Sequence, residues 1–238
     1  AFAALLAELG VTKEQLLADK ALLTAVLTYH VLPDKVLRAG VPAGQAITTV
    51  QGSIFKIGAS GSDLVVTDGR NRTAKITATD LEVSNGVIHV IDRVLLPANK
   101  TVVETAQSLP DFSILVEAVL AANLQGTLSS TGPFTVFAPT NDAFAALLTE
   151  LGVSKDELIA DVPLLTRVLT YHVVSGRVLK AGVPVGPAIA TVEGGTFTVD
   201  NSLAITDQRG RSAGIVATDV LASNGVIHVV DKVILPAP

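Results

Sequence analysis

The chain contains two copies of one sequence unit, and this repetition constrains its fold more than any other feature. Residues 1–50 align with residues 143–192, and 34 of these 50 paired positions are identical. The alignment resumes at Asp68 and Asp207 and continues to the end of the sequence. Self-similarity over such a length is typical of tandem structural units. We therefore expect two related domains, in which each position of one copy can be compared with its partner in the other.

The copies differ in length in two places. Their offset is 142 residues up to Phe55 and Phe197 but 139 residues from Asp68 and Asp207, so the first copy gains three residues, which we place in a loop near residues 58–62. In addition, the segment 99–142 has no counterpart before Ala1. We predict one domain over residues 1–98, lacking this N-terminal segment, and a complete one over residues 99–238.

The missing segment has a structural consequence for the first copy. Without an equivalent of residues 99–142, its sheet would expose an open edge and a large apolar face, which soluble domains avoid. One expectation is that the sequence is a fragment of a longer tandem array. The other is that a neighbouring chain donates an equivalent strand and helices and so links subunits into a fibre.

Composition excludes several functions. The net charge is −5 with a pI near 5.3, and the basic residues are scattered, so a nucleic-acid partner is not expected. The chain has no cysteine, which excludes disulfides, thiol catalysis and thiolate metal sites. Every apolar run is interrupted before the ~18 residues of a membrane span, so we predict no transmembrane segment.

The order of the predicted elements indicates an α+β fold. In the second copy, residues 101–107, 111–120, 143–151 and 164–171 show helical spacing of apolar residues, and a capping box (Ser154 with Glu157) begins another helix. Residues 126–132 look like a loop, and Phe134–Ala138 is a short strand between prolines. After His172 the chain consists of short strand-like runs separated by glycine. This order predicts two domains, each with a mostly antiparallel β wedge or sandwich flanked by helices.

Several motif residues are expected to be structural. Thr140, Asn141 and Asp142 are natural N-cap types for the helix predicted from Ala143. Asn224-Gly225, and Asn85-Gly86 in the first copy, predict type I′ hairpin turns in which the glycine has positive φ. The strand histidines His228 and His89 are expected to hydrogen-bond to a neighbour.

No constellation of residues indicates catalysis. The four histidines are two positions present twice, and they lack the accompanying ligands of a metal site, so we predict no metal, no cofactor and no enzymatic activity. Each copy also places two arginines on a tight turn that begins at Asp68 or Asp207. We interpret this turn as a solvated hairpin tip, with contact to an anion or glycan as the alternative.

Three motifs occur in the second copy in a fixed order over about 140 residues. They are Phe-Thr-Val-Phe-Ala-Pro-Thr-Asn-Asp-Ala-Phe from Phe134, Thr-Tyr-His from Thr170, and Ser-Asn-Gly-Val-Ile-His-Val-Val-Asp from Ser223. Together they resemble the fasciclin domain, a cell-adhesion module. The first copy keeps the later motifs but lacks the strand that begins the first one.

The resemblance implies a secreted or cell-surface protein that binds a protein or glycan in the matrix or on a cell, with self-association of the repeats as an alternative. In animal members, adhesion is attributed to an Asp-Ile-Leu/Met type segment and to the Tyr-His region. The residues that match are Asp219, Val220 and Leu221, with Tyr171 and His172; in the first copy they are Asp80 and Leu81, with Tyr29 and His30. Glu82 departs from the apolar third position of the segment, so the first copy is the weaker candidate.

Overall fold

The computed structural model describes residues 1–61 and 63–238. The chain divides into two compact units, Ala1–Asn99 and Lys100–Pro238, called unit 1 and unit 2 below. This division lies one residue from the predicted boundary. That each unit is a domain in its own right, and that unit 1 is incomplete, stay predictions.

Unit 1 begins with three helices and ends with five strands. Its helices are α1 (Phe2–Leu9), α2 (Lys13–Ala18) and α3 (Lys20–Tyr29), and its strands are β1 (Ala46–Thr48), β2 (Ile54–Ser60), β3 (Asp63–Thr67), β4 (Thr73–Val83) and β5 (Gly86–Ile91). The strands form one antiparallel sheet in the order β1-β2-β3-β4-β5. Strand β5 therefore stands at one end of the sheet described for this unit.

Unit 2 has the same plan with further elements in front of it. Its helices are α4 (Val102–Gln107), α5 (Ser113–Ala121), α6 (Gln125–Leu128), α7 (Asn141–Leu151), α8 (Lys155–Ala160) and α9 (Val162–Tyr171). Its strands are β6 (Phe134–Pro139), β7 (Val173–Ser175), β8 (Ala188–Ala190), β9 (Thr196–Val199), β10 (Ala204–Thr206), β11 (Ser212–Ala222) and β12 (Gly225–Val230). We call residues 100–141, which carry α4, α5, α6 and β6, the leader segment.

The leader segment supplies an interior strand of the unit 2 sheet, next to the edge strand β7. The order is β7-β6-β12-β11-β10-β9-β8, and β6 runs parallel to β12 with Phe134 opposite Gly225 and Pro139 opposite Val230. All the other pairs are antiparallel. The mostly antiparallel α+β architecture is as predicted from sequence.

Local sequence signals account for the helix ends. Thr12 with Gln15, Thr101 with Glu104, and Ser154 with Glu157 form capping boxes. Helix α7 begins after Thr140, whose hydroxyl accepts a hydrogen bond from Ala143 N, and it ends at Gly152 in the left-handed conformation. Asn141 and Asp142 are thus the first helical residues of α7, one position later than a cap. Residues 126–132, predicted to be a loop, include most of the short helix α6.

The additional residues of the first copy lengthen a hairpin. Strands β2 and β3 pair from Lys56–Thr67 to Ser60–Asp63, whereas the corresponding strands β9 and β10 of unit 2 pair only at Val199–Ile205 and Thr198–Thr206. The length difference between the copies is therefore absorbed at the end of one hairpin. Gly58, Ala59 and Ser60, predicted to lie in a loop, belong to strand β2, and Ser62 lies outside the described residues.

The Asn-Gly hairpins have a geometry different from the predicted type I′ turn. Ala222 pairs with Gly225, so the two central residues are Ser223 and Asn224 and the glycine is the first residue of β12. Among the described residues with positive φ, none belongs to either of these turns. The positive-φ explanation of Gly225 is therefore wrong. An ideal Cβ on Gly225 would lie 2.3 Å from the Phe134 carbonyl oxygen, so the close approach of β6 requires the glycine.

Candidate interaction surfaces

The Tyr-His motif connects helix α9 to the β core. The Tyr171 hydroxyl is donated to Thr196 O at 2.7 Å and accepts a hydrogen bond from Gln208 N at 3.2 Å. Tyr29 makes the corresponding bonds to Ile54 O at 2.6 Å and from Gly69 N at 2.8 Å. Both rings are fully buried, and burial raises the pKa of Tyr171 to about 12. The tyrosines thus hold each helix against a strand and a turn.

The neighbouring histidine closes the C-terminus of the helix. His172 Nδ1 lies 2.7 Å from Val168 O, and Nε2 accepts a hydrogen bond from Ile234 N at 3.0 Å. These roles require the neutral ring with its proton on Nδ1. His30 has the same two contacts, to Val26 O at 2.7 Å and from Leu95 N at 3.0 Å. Burial lowers the pKa of His172 to about 4.

Asp68 and Asp207 are buried at the start of their turns, while the tip residues Gln208, Arg209 and Gly210 of unit 2 are exposed, as the interpretation of a solvated hairpin tip expects. Both carboxylates are nearly inaccessible. Asp207 accepts hydrogen bonds from Arg209 N and Arg211 N, each at 2.9 Å, and from Leu235 N at 2.9 Å. Asp68 accepts the equivalent bonds and also forms an ion pair with Arg72 at 2.6 Å. A charged carboxylate is buried here because several donors surround it.

Asp219 and Asp80 occupy the bulge of the long strands β11 and β4. Their φ angles are 62° and 59°, and the strand register is irregular at each position. Asp219 Oδ1 accepts a hydrogen bond from Lys180 N at 2.7 Å, and Asp80 Oδ1 accepts one from Arg38 N at 2.8 Å. Each aspartate therefore attaches a 3-10 turn to the sheet.

The strand histidines lie beside these bulges. His228 Nδ1 accepts a hydrogen bond from Asp219 N at 3.3 Å, and its Nε2 is 2.9 Å from Val178 O. His89 makes the same contacts with Asp80 N at 3.4 Å and Val36 O at 2.8 Å. The proton is thus on Nε2 in these rings, the opposite tautomer to His172. The predicted hydrogen bonding of the strand histidines is present in both units.

The segment matched to adhesion has different accessibility in the two units. In unit 2, Asp219 and Leu221 are buried and Val220 is half-buried. In unit 1, Asp80 and Leu81 are exposed, Leu81 by 48 %. The copy that sequence reasoning ranked as the weaker candidate is therefore the accessible one. The adhesion role of either segment stays a prediction.

Asn224 attaches the leader segment to the β11–β12 hairpin. Its Oδ1 accepts a hydrogen bond from Val102 N at 2.9 Å, and its Nδ2 donates to Leu128 O at 2.8 Å and Ser130 O at 2.7 Å. All three partners belong to the leader segment, and Asn224 is buried. The corresponding Asn85 of unit 1 is exposed.

Asn141 fastens the end of the same segment. Its Oδ1 accepts a hydrogen bond from Ile114 N at 3.0 Å, and its Nδ2 donates to Pro110 O at 3.1 Å. Its amide thus links the start of α7 to the start of α5. Asp142 is exposed in the first turn of α7, where a negative charge is favourable.

The described part of unit 1 contains an open groove, where the sequence predicted an uncovered apolar face. Its volume is about 590 Å³. Strand β5 contributes Gly86 to His89 and Ile91 to its walls, and the interior side includes Phe55, Val66 and Leu95.

Neither a metal cluster nor a membrane span occurs in the described residues. Over 1–61 and 63–238, no group of three or more His, Asp or Glu side chains is placed to hold a metal ion. No helix in these ranges is sufficiently long and apolar to cross a membrane.

Comparison with known proteins identifies the architecture. The family model described as the fasciclin domain matches residues 1–97 and 110–236. The chain belongs to the fasciclin domain family. Within this fasciclin chain, the two matched segments correspond to units 1 and 2, and the match to unit 2 begins inside the leader segment.

Individual relatives of this fasciclin chain come from bacteria and animals. Protein sll1483 of Synechocystis sp. is 44 % identical over 154 residues, which cover 62 % of this chain and 79 % of that protein. Transforming growth factor-beta-induced protein ig-h3 of Oryctolagus cuniculus is 30 % identical over 211 residues. These cover 88 % of this chain but 30 % of ig-h3, so ig-h3 is much the longer protein.

A solved structure has the same fold. It is a fasciclin domain pair from the insect cell adhesion molecule fasciclin I, with a TM-score of 0.53 and 19 % sequence identity, covering 89 % of this chain and 79 % of that one. At this identity the likeness concerns the fold alone, and it confirms the predicted tandem α+β class.

Proposed function

We propose that this fasciclin chain is a non-enzymatic interaction module that holds a protein or glycan partner at a cell surface or in an extracellular matrix. The observation that carries the proposal is which groups the motif side chains bind. Tyr171, His172, Asp207, Asn224 and His228 direct their hydrogen bonds to backbone groups of the same unit. Their chemistry therefore stabilises the fold, and partner binding is left to exposed surfaces.

Membership of the fasciclin domain family supports the same class of function, since the motifs of this chain resemble a cell-adhesion module. Secretion or attachment to the cell surface is part of the proposal, since an adhesion module must reach its partner outside the cell. The partner-binding residues matched in sequence would then be those that solvent can reach.

We place the adhesive segment at Asp80 and Leu81 of unit 1. Leu81 is 48 % exposed on strand β4, beside the bulge residue Asp80. An exposed apolar side chain next to a carboxylate gives a partner both apolar surface to bury and a negative charge to pair with. In unit 2 the corresponding residues support the bulge, and the Asp219→Ala variant should therefore lower the melting temperature.

A retention assay with matched variants tests this proposal. Cells or matrix protein are passed over the immobilised chain, the Leu81→Ala variant and the Leu120→Ala control, whose leucine is 49 % exposed in unit 2. We expect several-fold weaker retention for Leu81→Ala, no change for Leu120→Ala, and similar melting temperatures for both. Equal retention by all three proteins would remove Leu81 from the binding surface, and no retention by the parent would contradict the adhesion function.

The alternative is a structural array whose repeats bind one another, with a neighbouring chain completing unit 1. The close sequence similarity of the two units favours this candidate, since arrays are built from repeats of one unit. Light scattering across a concentration series separates the two functions, because an array subunit forms larger species as its concentration rises and an adhesion module does not.

A further inference from the structure

Arg177 of unit 2 is a half-buried guanidinium group without a carboxylate partner. Of its five N–H donors, one on Nη2 binds the Ser223 carbonyl oxygen at 3.2 Å, while Nε is shielded from solvent and makes no hydrogen bond. Over residues 1–61 and 63–238, no ion pair joins this side chain to an acidic residue. Shielding a charged donor from water without an acceptor costs free energy, which an acceptor from outside the unit would offset.

The electrostatic environment of Arg177 shows the same lack of a partner. Burial lowers its pKa, and no carboxylate of the described residues counteracts this effect. Arg72 provides the contrast: burial also acts to lower its pKa, but the hydrogen bond and the charge of Asp68 raise that pKa above the ordinary value. A guanidinium group stays protonated at neutral pH. Arg177 is therefore a partly desolvated cation whose charge the unit leaves unpaired.

The first copy shows which group a cation at this position binds. The counterpart of Arg177 is Lys35, whose Nζ lies 3.5 Å from Glu82 Oε1. The counterpart of Glu82 is Leu221, which is buried in the core of unit 2. The second copy thus has the cation but not the carboxylate that accompanies it in the first. A carboxylate is the ligand that this position suits.

The backbone on both sides of Arg177 is held in place by hydrogen bonds. Gly176 N donates to Pro133 O at 2.8 Å, and Gly176 O accepts a hydrogen bond from the Thr135 hydroxyl at 2.7 Å. The same hydroxyl accepts a hydrogen bond from Val178 N at 2.9 Å. The guanidinium group therefore starts from a fixed backbone, so binding through it orders few additional groups.

We infer that Arg177 binds the carboxylate of an acidic side chain presented by a protein partner at the tip of the β11–β12 hairpin. A planar guanidinium group matches the two oxygens of a carboxylate, and the donors not used by Ser223 O make the contact. Ser223 is exposed, so a partner can reach this tip. The site lies in unit 2 and does not involve Asp80 or Leu81, so it goes beyond the adhesive segment proposed above.

A single protein carboxylate suits this tip better than a polyanionic glycan. Polyanions are bound by several cations close together, whereas the basic residues of this chain are scattered and its net charge is −5. Lys100 also lies at the tip, where its carbonyl oxygen accepts a hydrogen bond from Ser223 N at 2.8 Å. The charge of Lys100, however, acts on Glu104, whose pKa it helps to lower after the hydrogen bonds from Thr101. Arg177 is thus the cation at this tip that lacks an acidic neighbour.

A blocked peptide with one carboxylate is a direct probe for the 238-residue chain. Acetyl-Gly-Gly-Asp-Gly-Gly-amide has the aspartate as its sole charge, and the same peptide with asparagine is the matched control. In an NMR titration at low ionic strength, we expect the aspartate peptide to shift the Arg177 Nε–H and Ser223 amide signals in a saturable way. The asparagine peptide should leave both signals in place. No saturable shift, or equal shifts with the two peptides, would contradict the inference.

Variants of the chain assign the binding to one side chain. Arg177→Gln should weaken binding of the aspartate peptide about tenfold or more, because a charged hydrogen-bonded pair is lost. Arg177→Lys should weaken it several-fold, since an ammonium group lacks the paired donors. Arg209→Gln is the matched control and should bind as the parent does, because Arg209 is exposed and its Nε already donates to Pro236 O at 3.0 Å. Binding that Arg177→Gln leaves intact would overturn the assignment.

Substitutions of the exposed Ser223 test the site without removing the arginine. Ser223→Glu places a carboxylate beside Arg177 and should abolish peptide binding, whereas Ser223→Gln should retain it. These two variants decide the question if Arg177→Gln has a lowered melting temperature, and equal binding by both would contradict the inference. Clearly tighter binding of methyl galacturonide, which also has one carboxylate, would assign the site to an acidic glycan and overturn the choice of a protein partner. Loss of cell or matrix retention in Leu81→Ala bears only on the adhesion proposal.

Discussion

At the scale of single residues, the motif that identifies the family consists of buried side chains that form hydrogen bonds. His172 ends a helix, Asp207 organises a turn, and Asn224 fastens the leader segment. Each side chain replaces water for backbone groups that would otherwise be buried without partners. Substitutions at these positions should therefore alter folding stability before they alter recognition.

His172 makes unit 2 sensitive to acid. Its folded pKa of about 4 lies below the ordinary value of 6.5, so the unfolded chain binds the proton first. The stability that the neutral ring provides is complete above pH 6.5 and is lost as the pH falls toward 4. The loss approaches about 3 kcal/mol as an upper limit. Urea unfolding followed through unit 2 amide signals between pH 4.5 and 7.5 measures this change.

A variant without the titrating ring is the control for that effect. His172→Asn keeps a donor near the Nδ1 position but cannot gain a proton in this pH range. It should be less stable than the parent at pH 7 and have a flatter pH dependence. An equally steep dependence in the variant would show that another group causes it.

Gly225 and Gly86 occupy equivalent positions, and comparing them tests the effect of close packing. We predict that Gly225→Ala lowers the free energy of unfolding by about 1–3 kcal/mol, since its Cβ would lie 2.3 Å from the Phe134 carbonyl oxygen. Gly86→Ala should change it by less than about 0.5 kcal/mol, because its Cβ meets nothing within 4 Å. Chemical denaturation of both variants measures the difference, and equal effects would contradict the role given to β6.

At the scale of elements, the leader segment has more influence than any other part of unit 2. It contributes β6, the second strand of the sheet, and it covers the apolar side of α9 and β12. Strand β7 also depends on it, since β7 pairs only with β6 in the described sheet. In unit 1 the corresponding residues 31–33 are irregular, although Val31 is identical to Val173.

Asn224→Ala should loosen this segment. The substitution leaves Val102 N, Leu128 O and Ser130 O without their partner inside the unit, and we expect a loss of about 2–3 kcal/mol. Amide exchange should increase first in α4 and α6. Asn85→Ala is the matched control, and its stability should be unchanged because Asn85 is exposed. A comparable loss in both variants would place the role of this asparagine within the hairpin itself.

At the scale of the whole molecule, two units of closely similar sequence have cores of different size. The main core of unit 2 joins the leader segment to α7, α8, α9 and the sheet, whereas the buried residues of unit 1 form two smaller clusters. Because hydrophobic stabilisation scales with buried apolar area, the units should differ in stability.

We predict two unfolding transitions, with unit 1 unfolding at the lower denaturant concentration. Each unit contains one tyrosine, Tyr29 or Tyr171, so Tyr→Phe variants assign the fluorescence change of each transition. Coincident transition midpoints in the two variants would contradict this prediction and show that the two units unfold cooperatively.

The sequence by itself determined the tandem organisation, the α+β class, the helix caps and the family, because these depend on repeated residues and on local signals such as Ser154 with Glu157. The tertiary structure decided which identical residues are core. Ile88 and Ile227 have the same neighbours in sequence, but Ile88 is 50 % exposed and Ile227 is 1 % exposed, since burial depends on what packs across the strand. The tertiary structure also decided why residue 225 is glycine: strand β6 approaches it too closely for a side chain, whereas its φ angle does not demand glycine. Contacts between segments distant in sequence, such as Asn224 with Val102, are not encoded in any local pattern.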